Sequence, residues 1–310
     1  MRKIGFSVIY FVLVSVIFIL NYTFEHTAMV SYSFWNITRA VLLIFAVIVF
    51  PLLNRRIYSI AVTVLKEELR KKTLYVIFIF VALLVSLIHV FGKIAPANQH
   101  VFVGEMGLSG ITLFGLLFGV FMSSTAMYKE MEKKTVYVLL SYPVSRQEIV
   151  MGKFIGNMIS ILLFSFLLSL IFVVSLLVRF GPINSVIVYS CFALMLEFVV
   201  IVAIATTTST MLSSTSNIVF VIIIFLLGHM TEKITHIASR LEAQRLKEAA
   251  EVFVRVLPDF KRFEFKDALS LGTVIEPSVI IASLSYALFY SAVALIIGML
   301  IFRRREVDRL

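Results

Sequence analysis

The residues of this chain that could do chemistry are concentrated in one charged segment, residues 128–153. Its first half carries closely spaced acidic and basic side chains and predicts a helix over about 129–140. The chain then turns at Pro143, and Ser145 and Glu148 follow with the S-x-x-E spacing of a capping box, which predicts the start of a second helix. Two charged helices joined by a rigid turn can form ion pairs with a soluble partner protein.

The sequence motifs expected of an enzyme or a metalloprotein are absent. Gly152-Lys153 is followed by Phe154, so the phosphate-binding pattern G-x-x-x-x-G-K-[ST] is not completed. There is no H-E-x-x-H motif and no nucleophile elbow, and the five histidines form no cluster with metal-ligand spacing. The single cysteine, Cys191, excludes an internal disulfide. We therefore expect that this chain is not an enzyme and that it holds no metal or cofactor of its own.

The composition predicts a membrane protein. Of the 310 residues, 60% are hydrophobic and 15% are charged, a balance that soluble globular domains do not have. Lys and Arg on the cytoplasmic side of a membrane explain the formal net charge of +10, so we expect no nucleic-acid binding. In the short loops these residues fall mostly in segments that would lie inside, which predicts that residues 128–153 and both termini are cytoplasmic.

The apolar runs predict an all-α polytopic membrane protein with about eight transmembrane helices. The predicted spans are 4–22, 37–53, 74–91, 109–127, 154–178, 186–206, 217–230 and 279–302. Residues 57–72 form an amphipathic pattern that predicts either a helix lying in the membrane interface or a charged extension of the next span. Residues 231–278 predict an extracytoplasmic helical segment, with one amphipathic helix from Glu232 to Leu257.

Within the predicted spans, one ionisable residue and four glycines are informative. Glu197 is the only carboxylate deep inside a span, where a charge is costly. It is either functional, as a proton, ion or substrate site, or structural, hydrogen-bonded to another helix. Stripes of small residues predict that the two spans flanking residues 128–153 pack closely against each other. The glycines of these stripes are Gly115, Gly119, Gly152 and Gly156.

The charged segment resembles the first cytoplasmic loop of type-2 ABC transporter permeases. The residues that carry this resemblance are Glu130, Thr135, Leu139-Leu140, Pro143, Arg146 and Gly152-Lys153. Residues 57–72 resemble the elbow helix that opens the core of these permeases. Residues 209–213, 228–229 and 257–269 resemble the subfamily that includes the permeases for nitrous-oxide-reductase maturation.

The resemblance implies how the chain is divided. It implies a six-helix permease core over residues 57–305 and a cytoplasmic tail over 306–310. Residues 1–56, with two further transmembrane helices, lie outside the family's usual pattern. In this interpretation the 128–153 loop carries a coupling helix that docks into a separate ATP-binding subunit. The residues expected at this contact are Glu130, Thr135, Pro143 and Arg146.

The resemblance also implies the partners. ATP and Mg²⁺ would be bound by the ATP-binding subunit, and two permease copies would pair as a homodimer in the cytoplasmic membrane. We expect an exporter, and the few charges in the spans favour an apolar or amphipathic substrate. Two other functions compete with this one. The chain could be an ion-coupled secondary transporter with Glu197 as the ion site, or a non-transporting membrane scaffold that displays residues 231–278 outside.

Overall fold

A computed structural model describes residues 54–91, 99–125, 127–128, 144–240, 244–271, 273 and 275–304. The first two predicted spans and the C-terminal tail lie outside the described residues. So do three of the predicted coupling residues, Glu130, Thr135 and Pro143. The described part of the chain is helical and contains no β-strand.

Ten α-helices and one short 3-10 helix make up the described residues. In chain order they are α1 (Arg55–Arg70), α2 (Lys72–Phe91), α3 (Gln99–Ser124), α4 (Arg146–Phe180), α5 (Ser185–Thr208), α6 (Ser214–His229), α7 (Thr231–Ser239), α8 (Gln244–Val256), the 3-10 helix Phe260–Phe263, α9 (Lys266–Leu271) and α10 (Pro277–Arg304).

Four of these helices, α3, α4, α5 and α10, are long and apolar enough to cross a membrane. A fifth span is possible if α6 and α7, which meet at a bend of 62°, are counted together. The described residues therefore confirm a helical membrane protein. The total of eight spans stays a prediction.

Helix α4 begins at the predicted residue because the capping box forms. The Ser145 hydroxyl accepts from the Glu148 amide at 3.3 Å, and Glu148 Oε2 accepts from the Ser145 amide at 2.6 Å. The helix then continues without interruption until Gly181, whose φ of 79° only glycine adopts readily. Pro182 follows directly and cannot continue the helix. Residues 146–153 of the charged segment thus form about the first two turns of a long membrane helix.

Helix α5 lies at the centre of the bundle. It packs against α3, α4, α6 and α10, and its most apolar stretch is mostly buried. A Cβ atom on Gly115 of α3 would lie 2.1 Å from the ring of Phe198 on α5, so this glycine is needed for the approach. Gly119 is less crowded, since its Cβ would lie 3.6 Å from Ile161 of α4. The stripe on α3 therefore packs against both α5 and α4.

The stripe on α4 packs against α1. A Cβ on Gly152 would lie 2.7 Å from the Cβ of Ile60, and one on Gly156 would lie 2.8 Å from the carbonyl oxygen of Ala61. The prediction that Gly152 and Gly156 pack the two flanking spans together is therefore wrong. Small residues show that another helix approaches, and here it is the predicted elbow helix. Its apolar face, which includes Ile57, is buried against α4.

We expect Gly156→Ala to destabilise the protein, because the added methyl meets the Ala61 carbonyl and the Val64 side chain at 2.7–2.8 Å. Overpacking of this kind typically costs about 1–3 kcal/mol. Gly119→Ala is the matched control, since its methyl would make ordinary van der Waals contacts. Thermal unfolding of both variants in detergent checks the prediction. Equal melting temperatures for the two would contradict the observed packing of α1 on α4.

The segment after α6 does not form the single predicted helix from Glu232 to Leu257. It contains two helices, α7 and α8, followed by the 3-10 helix and α9. Several apolar side chains of the predicted stripe are exposed: Ile237, Phe253 and Val256. The 3-10 helix, by contrast, is held tightly, since Phe260 and Phe263 are each 1% exposed and pack into the bundle core.

Candidate functional site

Arg146 is the one predicted coupling residue that the structure describes, and it links α4 to the end of α10. Its Nη1 donates a hydrogen bond to the carbonyl oxygen of Phe302 at 3.3 Å, and its guanidinium lies 5.9 Å from the centre of the Phe302 ring. The last four carbonyl groups of a helix have no partner within the helix. Arg146 therefore satisfies one of these carbonyl groups while it holds the start of α4 beside α10.

Glu148 makes a second link, between α4 and α1. Its Oε1 accepts from Asn54 Nδ2 at 3.0 Å, and its Oε2 lies 3.8 Å from Nη1 of Arg56. Asn54 is also the N-cap of α1, since its side chain accepts from the Arg56 amide. The buried Glu148 carboxylate thus joins the first turns of two helices.

Sequence reasoning recognised Glu148 as a capping residue but missed this second role. The S-x-x-E spacing shows only the local hydrogen bonds. Asn54 lies 94 positions earlier in the chain, and no sequence signal pairs it with Glu148. The exit of the 128–153 loop is consequently connected at two points, to α10 through Arg146 and to α1 through Glu148.

Glu197 contacts a residue that sequence reasoning had treated separately. Glu197 is 1% exposed, and its Oε1 lies 3.3 Å from Nε2 of His229, at the end of α6. Within the part of the chain that the structure describes, this oxygen has no hydrogen bond of ordinary geometry. The other ring nitrogen of His229, Nδ1, lies 3.1 Å from the carbonyl oxygen of Phe225. The contact therefore joins the central helix α5 to α6.

Aromatic rings enclose the imidazole of His229. The Phe225 ring lies 4.4 Å from it between centres, and the Phe260 ring stacks on it at 5.5 Å and 23°. Phe260 can come this close because the preceding residue of α6 is Gly228. A Cβ there would lie 2.5 Å from the Phe260 ring and from the Pro258 carbonyl oxygen. Gly228-His229 and the 257–269 segment, two of the pieces that carry the family resemblance, therefore meet at Glu197.

A small cavity of about 10 Å³ lies beside this contact. Its lining residues are Leu108, Thr112, Ser190, Leu194, Glu197, His229, Phe263, Glu264, Phe265 and Lys266. Such a volume has room for about one water molecule. No group of three or more metal-ligating side chains occurs among the described residues. The site offers proton donors and acceptors.

The comparison with protein families gives one match. The profile of the family described as "ABC-2 family transporter protein" matches residues 97–307. This range extends over more than half of the chain, and it contains α4, Glu197 and His229. No curated protein gives a significant match to the chain. The chain therefore belongs to the ABC-2 transporter family and is a membrane permease subunit of an ABC transporter.

Proposed function

We propose that this permease belongs to an exporter in the cytoplasmic membrane, that two copies pair, and that separate ATP-binding subunits drive them by docking on residues 128–153. The family's members are transmembrane subunits that associate with ATP-binding subunits. The observation that carries the docking proposal is the double attachment of residues 144–148. A contact at this loop would act on α4 directly, on α1 through Glu148 and on α10 through Arg146.

The geometry of α4 suits this role. It is one helix of 35 residues, or about 50 Å at 1.5 Å per residue, and it begins at the capping box. Because such a helix extends well beyond an apolar layer of about 30 Å, a displacement of its first turns would be carried into the membrane part of the bundle. The contacts of α4 with α3, α5 and α10 would spread that displacement.

A photo-crosslinking amino acid at position 133 tests the docking contact. We expect it to capture an ATP-binding subunit in native membranes, because Lys133 lies on the predicted coupling helix. The control is the same amino acid at Leu163, an exposed position in the middle of α4 that we expect to face lipid. Capture is measured by mass spectrometry of the crosslinked bands. Equal yields of the ATP-binding subunit at both positions, or none at position 133, would contradict docking on this loop.

A further inference from the structure

The contact between Glu197 and His229 requires a proton whose location the hydrogen-bond pattern restricts. A carbonyl oxygen can only accept, so the 3.1 Å contact with Phe225 is a hydrogen bond when Nδ1 of His229 carries the hydrogen. In a neutral imidazole the other nitrogen, Nε2, then has a lone pair and no hydrogen. This nitrogen lies 3.3 Å from Oε1 of Glu197, an oxygen that has no other hydrogen-bond partner among the described residues.

An ionised Glu197 would place a second acceptor 3.3 Å from this unprotonated nitrogen. Two acceptors in contact at a position that is 1% exposed would repel each other, and a buried polar group without a partner is costly. One added proton removes the conflict. It gives either a carboxylic acid that donates to Nε2 or a carboxylate that accepts from an imidazolium, and both forms carry no net charge. The two residues therefore hold one proton as a unit.

Among the described residues, the charged groups near this contact are already paired with one another. Glu264 and Lys266, across the cavity, face each other at 3.6 Å. Asp259 accepts from Thr231 at 3.2 Å and from Arg262 at 3.0 Å. Helices α3 and α5 contribute only apolar or hydroxyl side chains to the cavity apart from Glu197 itself. Positive charge near the site is thus matched by negative charge, and the unit still requires its proton.

We propose that Glu197 and His229 form a binding site for a single proton, which joins α5 to the end of α6, and that this proton exchanges through the small cavity towards Glu264 and Lys266. The ligand is the proton itself. The site goes beyond the proposed export function and does not depend on it, because it follows from the hydrogen-bonding requirements of the two side chains alone.

The proposal predicts how stability changes with pH. An unfolded histidine releases its proton at a pH of about 6.5 and an unfolded glutamate at about 4.3. Above about pH 6.5 the folded chain therefore binds one more proton at this site than the unfolded chain. Stability then falls as the pH rises. The folding equilibrium constant decreases by up to about tenfold per pH unit. Between about 4.3 and 6.5 both states bind one proton here, so this site contributes no slope.

Glu197→Gln reverses this pattern. The glutamine amide can donate to Nε2 at any pH, so the folded variant needs no proton and its stability should not fall above about pH 6.5. Below that pH the unfolded histidine takes up a proton, whereas the folded one would become a buried charge without a carboxylate. The variant should therefore lose stability as the pH falls, while the wild type does not.

The experiment measures thermal unfolding of the full-length chain in lipid nanodiscs across this pH range. We expect the wild type to lose stability above about pH 6.5 and Glu197→Gln to lose stability below it. Glu67→Gln is the control and should leave the wild-type pattern in place, because Glu67 lies on α1 with a side chain that is 65% exposed. If Glu197→Gln does not accumulate, His229→Gln replaces it and should also remove the loss of stability at high pH, since its amide donates to the carboxylate. If the melting temperature of Glu197→Gln, or of His229→Gln where that variant replaces it, changes with pH in the same way as that of the wild type, the proposal is overturned.

Discussion

Glu148→Ala should abolish most of the stimulation of ATPase activity by this permease while the chain still reaches the membrane. The substitution removes the acceptor for Asn54 Nδ2 and for the Ser145 amide at the same time. Hydrogen bonds to a charged group are worth about 1.5–3 kcal/mol each, and loss of a helix cap about 1 kcal/mol. The exposed contact with Arg56 at 3.8 Å adds little. A loss of about 2–4 kcal/mol would loosen the link between the first turns of α1 and α4.

The measurement is ATP hydrolysis by the reconstituted complex, together with the amount of ATP-binding subunit that co-purifies. Glu67→Ala is the control, since Glu67 is also a glutamate and lies on α1, but its side chain is 65% exposed and pairs with Lys71. Glu148→Gln should lie between the two, because its amide oxygen can still accept one of the hydrogen bonds. Full stimulation in Glu148→Ala, with normal recovery of the complex, would mean that α1 is not part of the coupling path.

Phe260→Ala should destabilise the protein by about 3–5 kcal/mol, which is the usual cost of emptying a buried phenylalanine site. Phe260 is 1% exposed, and its ring contacts Phe225 and His229. Truncation would leave a cavity above the imidazole and would remove the cover of the contact with Glu197. Because native stabilities are often only 5–15 kcal/mol, we expect a large fall in melting temperature and a reduced amount of chain in the membrane.

Phe253→Ala is a control of the same residue type from the same segment of the chain. Phe253 lies on α8 and is 49% exposed, so its truncation should change the melting temperature little. The two variants are compared by thermal unfolding in detergent and by quantitative blotting of membranes. A similar small effect in both would show that the 3-10 helix does not stabilise the bundle and that Glu197 has another cover.

The sequence alone determined the features that depend on neighbouring residues. Long apolar runs can satisfy their backbone groups in a membrane only as helices or closed barrels, and their length favours helices, so the class of protein follows from composition. The start of α4 at Ser145 follows from a hydrogen-bond pattern within four residues, and its end follows from Gly181-Pro182. The helix over 57–72 was predicted from its apolar face and is found as α1.

Only the tertiary structure decided which distant groups meet. Gly156 indicated a close helix neighbour, but a missing side chain does not identify the helix that fills the space, and that helix is α1. Glu148 had a local role that fully explained its spacing, so nothing pointed to Asn54. Glu197 and His229 are on different helices, and sequence reasoning did not pair them. Their contact depends on how α5, α6 and the 3-10 helix pack together, which is set by long-range burial and not by any pattern along the chain.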